Sequence, residues 1–94
     1  MPLGLLNLHL QIPGCTSLKE KRRRLKPLII RLHKEFNISV AEMLYQDRWD
    51  ETLLACALVS SDHGHTLRLL GEVTQWVEIN WPDVYVIDDQ IEMI

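Results

Sequence analysis

Between Lys19 and Lys34 the chain carries eight cations against one acid, Glu20, and six of them, Lys19, Lys21, Arg22, Arg23, Arg24 and Lys26, are nearly consecutive. Dense ammonium and guanidinium groups are suited to phosphate, which accepts several charge-assisted hydrogen bonds at once. The remaining sequence holds only Arg48 and Arg68 against twelve acids, and the net charge is -3. Such a division gives local, oriented attraction rather than general adhesion to polyanions. On a helix, Lys19 with Arg22 and Arg23, Lys21 with Arg24, Arg22 with Lys26, and Arg23 with Lys26 lie three or four apart. Each like pair costs about 0.2–0.5 kcal/mol, and the helix start is already partly positive. An anion bound there relieves that repulsion, so a basic helix N-terminus that takes phosphate is the first expectation. The alternative is a solvated face, but Lys21 and Arg22 project within about 60° of the apolar stripe, so the cluster wraps around the helix.

Other chemistry-bearing residues are weaker. Asp62, His63 and His65 lack further ligands at metal-site spacing, and no metal is expected. Ser60, Ser61, Asp62 and His63 are adjacent, whereas a nucleophile, its base and its orienter must converge from different elements. Asp47, Asp50, Glu51, Asp88 and Asp89 have no apolar surroundings to raise a carboxyl for acid catalysis. Neither GxGxxG nor a P-loop is present, so neither a nucleotide cofactor nor any other cofactor is expected, and the chain reads as non-enzymatic. Trp49 stands beside Arg48 in a polar segment, either as a plug for the end of the core or as a partner-binding anchor.

These residues need elements to hold them. Leu6, Leu8, Leu10 and Ile12 alternate with Asn7, His9 and Gln11 as a strand that Pro13-Gly14 stops. Ser17 and Glu20 have capping-box spacing, and Leu18, Leu25, Leu28, Ile29, Leu32 and Phe36 form one stripe, predicting a helix over 18–36 closed by Asn37. A strand from Ile38 to Tyr45, the connection QDRWDE and a more buried strand from Leu53 to Val59 form a hairpin. Ser61 or Asp62 caps a second helix with the stripe Leu69, Leu70, Val73, Trp76 and Val77, ended by Pro82. The last strand runs from Val84 to Ile94, where Asp88 and Asp89 mark a bulge or an edge. The order is that of an α+β, ferredoxin-like βαββαβ fold, with a four-stranded antiparallel sheet and two helices on one face.

Composition agrees. With 94 residues, 47% hydrophobic and 24% charged, and neither repeats nor low-complexity segments, a single domain over 1–94 is expected. The N-terminal apolar run is short and interrupted by Asn7 and His9, and Cys15 and Cys56 lack CxxC spacing. A soluble, cytoplasmic protein with reduced thiols follows.

The segments IPGCTSLKEKRR, FNISVAEM, QDRW and LVSSD, in this order, resemble the YlxP-like family of small bacterial proteins, domain of unknown function number 503. The resemblance implies a ferredoxin-like fold, no established catalytic activity, and genes often placed among those for translation initiation and ribosome maturation. Pro27 departs from the family pattern and bears on the straightness of the first helix beyond the basic cluster.

No helix-turn-helix order supports DNA reading, and the first and third strands carry no stacking aromatics for single-stranded RNA. Shape-guided contact of Lys19, Lys21, Arg22, Arg23, Arg24 and Lys26 with phosphates of structured RNA or a ribosomal particle remains. The competing expectation is a protein-interaction or self-assembling homodimeric module in which the basic helix end meets an acidic surface such as Asp88-Asp89.

Overall fold

The computed structural model describes residues 2–94. Its elements are β1 (Leu3–Gln11), α1 (Leu18–Phe36), β2 (Ser39–Leu44), β3 (Glu51–Val59), α2 (His63–Asn80) and β4 (Tyr85–Met93). The sheet order is β2-β3-β1-β4, antiparallel throughout. This is the ferredoxin-like α+β arrangement that the sequence predicts.

Alternation in β1 turns Leu6, Leu8 and Leu10 toward the helices, opposite Cys56, Leu54 and Thr52 of β3, and all six are fully buried. Leu28 and Leu32 of α1 and Leu70, Val73 and Val77 of α2 complete the core from above. Burial of these side chains stabilises the fold by roughly 1.5–3 kcal/mol each before chain entropy opposes it. Helix α1 lies against β2, and α2 against β1 and β4.

The ends form for local reasons. Asn37 closes α1 in the left-handed region, φ 51°, with its N–H on the carbonyl of His33 at 2.9 Å. Asp62 caps α2 by accepting from the N–H groups of Gly64 and His65. Helix α1 is continuous through the exposed Pro27, whose missing N–H leaves the Arg23 carbonyl on the solvent side without its usual intrahelical donor. The β1–β4 register shifts between His9 and Leu10, where Ile87 is inserted beside Asp88, so the expected bulge and edge coincide at one strand. Both cysteines are buried free thiols. Among the described residues no helix is long and apolar enough to cross a membrane.

Candidate nucleic-acid interface

The start of α1 is closed by its own side chains. Ser17 Oγ accepts from the Glu20 N–H at 3.0 Å, and the Glu20 carboxylate accepts from the Thr16 N–H at 2.9 Å. The Thr16 N–H and the Cys15 thiol together hold the Glu20 carboxyl below its ordinary value. An anion does neutralise the positive helix end, but it is intramolecular. The Glu20 carboxylate thus places a negative charge beside the first turn, on the Thr16 N–H, while Ser17 takes the Glu20 N–H.

The six clustered cations divide into two groups. Lys21 is only 2% exposed. Its Nζ donates to the Tyr45 carbonyl at 2.6 Å and lies 2.7 Å from the Glu42 carboxylate, which also accepts from Thr52 Oγ1. At 100° per residue Lys21 falls inside the apolar stripe of Leu25, Leu28 and Leu32, so helix geometry drives it under α1. Tyr45, at φ 65°, is in turn fixed by the Arg48 N–H on its carbonyl and by stacking on His9. Arg24 turns to the other flank, where its guanidinium grips the Asp83 carboxylate at 2.8 and 3.0 Å and donates to the carbonyls of Pro13 and Asp83. That pairing raises the guanidinium's already high pKa. The assignment of Lys21 and Arg24 to a phosphate-binding surface is corrected accordingly: one is buried, and both are committed to internal acceptors.

Lys19, Arg22, Arg23 and Lys26 remain, all exposed. They occupy one arc of roughly 100° on α1, opposite the core face, and His33 and Lys34 continue it toward the C-terminus. The stripe from Lys19 to Lys34 is about 22 Å long at 1.5 Å per residue. Among the described residues, Lys19, Arg22, Lys26 and Lys34 form no ion pair, and Arg23 reaches Glu20 only at 3.9 Å. Arg31 lies aside from the stripe, paired with Glu35 at 3.2 Å and placed over the Trp76 ring at 5.3 Å. Of the five like-charge pairs expected from sequence, only Lys21–Arg24 is relieved, because these two leave in opposite directions; the other four lie along the exposed stripe.

Trp49 is 52% exposed and does not plug the core. It lines a surface cavity of about 370 Å³ with Cys15, Asp47, Arg48 and Asp50, and Arg48 lies 3.4 Å from Asp50. The flanking acids set this corner apart electrostatically from the basic stripe. On the open sheet face Leu5, Asn7, Leu53, Ala55 and Ala57 offer no stacking platform, and one face of His9 is taken by Tyr45. His63 and His65 are exposed on the first turn of α2, and among the described residues no metal-ligating group of three is present. The internal acceptors Glu42 and Asp83 were not foreseen. The only sequence signal for Glu42 was the position of Lys21 at the apolar stripe, which demands a buried counter-charge.

The model of the family described as protein of unknown function (DUF503) matches residues 3–91. The chain belongs to that family. It is also similar to the uncharacterized protein YlxP of Bacillus subtilis (strain 168), with 38% identity over 68 residues, 72% of this chain and 73% of that protein. The matched span includes both the strands that hold Lys21 inside and the helix that displays the stripe.

Proposed function

We propose that the protein is a cytoplasmic binding module that docks on structured RNA, such as that of a ribosomal particle, through Lys19, Arg22, Arg23 and Lys26. The observation that supports this most is the exposed stripe itself: Lys19, Arg22 and Lys26 without an ion-pair partner among the described residues and Arg23 only 3.9 Å from Glu20, on one face of a continuous helix in an otherwise acidic molecule. A row of cations along one helix face can follow a phosphate backbone without reading bases, which suits A-form RNA, where shape and phosphates are the accessible features. A binding role rather than catalysis is the reading supported by the exposure of Asp47, Asp50, Asp88 and Asp89, which gives none of these carboxyls an apolar pocket.

The test is co-sedimentation with purified bacterial ribosomes. Replacing Lys19, Arg22, Arg23 and Lys26 by Gln should abolish association and leave the fold intact. Association undiminished in that variant would overturn the reading.

A further inference from the structure

The flank of α1 that faces β2 carries a second kind of surface. A cavity of about 420 Å³, lined by Arg22, Leu25, Lys26, Ile30 and Glu42, adjoins one of about 410 Å³ that includes His33, Lys34, Ser39 and Val40. Ile29 and Ile30 line both, so the two form one trough along the edge of the sheet. Its floor is aliphatic, and its rim carries Arg22, Lys26 and Lys34. Among the described residues lining it the one acid is Glu42, which Lys21 neutralises at 2.7 Å.

We propose that this trough binds an extended, acidic–apolar peptide segment of a partner protein, added to β2 as a fifth strand. Strand β2 pairs with β3 on one side only, so its other row of backbone N–H and C=O groups faces outward. The opposite edge, β4, carries the exposed acids Asp88, Asp89 and Glu92, whereas the register shift in β2 falls beyond Glu42, between it and Leu44. From Ser39 to Glu42, β2 pairs in continuous register, and its one charged residue is turned under α1. An added strand would send alternate side chains over Ile29, Ile30 and Val40, which selects apolar residues at those positions. Acids between or beside them would meet Arg22, Lys26 and Lys34.

Charge also decides between occupants. Two-fold pairing of β2 with a second copy would bring two cationic α1 rims together, so self-association on this edge is opposed. RNA supplies neither apolar side chains for Ile29 and Ile30 nor a peptide ladder for β2. The inference does not rest on the RNA reading, because it requires the aliphatic floor and the β2 backbone, which that reading does not use.

The test uses the full chain and three labelled decapeptides. One alternates Ile or Val with Glu, the second has Lys for Glu, and the third has Pro at every apolar position. The Glu peptide should bind saturably by fluorescence polarisation and slow amide exchange at Ser39–Glu42. The Lys and Pro peptides should not compete. Ile30→Ser, at an exposed position and with charge unchanged, should weaken the Glu peptide by roughly tenfold without affecting ribosome association. Absence of saturable binding, equal binding of the Lys peptide, protection at β4 instead of β2, or a dimer whose β2 amides are already protected would each overturn the proposal.

Discussion

Lys21 shows how one residue in a charge cluster can serve structure alone. Its stem is buried on the same face of α1 as Leu25 and Leu28, and its ammonium satisfies the Tyr45 carbonyl and Glu42, so α1 and the end of β2 are joined through a single side chain. Lys21→Met should keep the packing but leave Glu42 unbalanced, costing about 3 kcal/mol by urea denaturation, near the lower end for broken buried pairs because Glu42 is partly wet. Arg22→Gln or Arg23→Gln should change stability by less than about 0.5 kcal/mol. Glu20 acts at the same scale. Its folded carboxyl ionises below the ordinary value of 4.5, so on acidification the unfolded state takes up the proton first. Its contribution is complete above about pH 4.5 and is lost as the pH falls through the lower folded value. Urea midpoints from pH 6 to pH 3 should therefore fall less steeply in Glu20→Gln than in the wild type; an identical slope would mean the cap carries no linkage.

At the scale of elements, the positions of strands and helices follow from patterns that depend on neighbours a few residues away. The alternation in β1, the Ser17–Glu20 cap and the αL residue Asn37 are local, and each was legible in the sequence. The close approach of α2 to β1 was not, because it depends on residues distant in the chain. A methyl group on Gly4 would lie 2.6 Å from both Leu70 Cδ1 and Thr66 Cγ2, and Thr66 is tied by its hydroxyl to the Asp62 carbonyl at 3.1 Å. That bond holds the Thr66 rotamer, so relief requires α2 itself or Leu70 to shift, and Gly4→Ala should cost about 1–3 kcal/mol by overpacking. Thermal denaturation checks this, and an unchanged midpoint would show that α2 shifts without strain. The same limit hid the fates of Lys21 and Arg24: helical periodicity indicated that the cluster wraps around α1, but Glu42 and Asp83 come from β2 and the turn before β4.

For the whole molecule, the consequence is an asymmetric charge distribution with a smaller exposed basic surface than the sequence suggests. Internal acceptors take Lys21 and Arg24, Glu35 and Trp76 hold Arg31, and the outward set is Lys19, Arg22, Arg23 and Lys26, extended by Lys34. If Lys19, Arg22, Arg23 and Lys26 meet phosphate, counterion release makes the contact measurable. Association with purified ribosomes, measured against monovalent salt, should give a log–log slope of about -3 to -4 for four phosphate contacts, and replacing Lys19, Arg22, Arg23 and Lys26 by Gln should remove that slope together with the binding. A slope near zero for the wild type, or the same slope and affinity in the substituted protein, would contradict it.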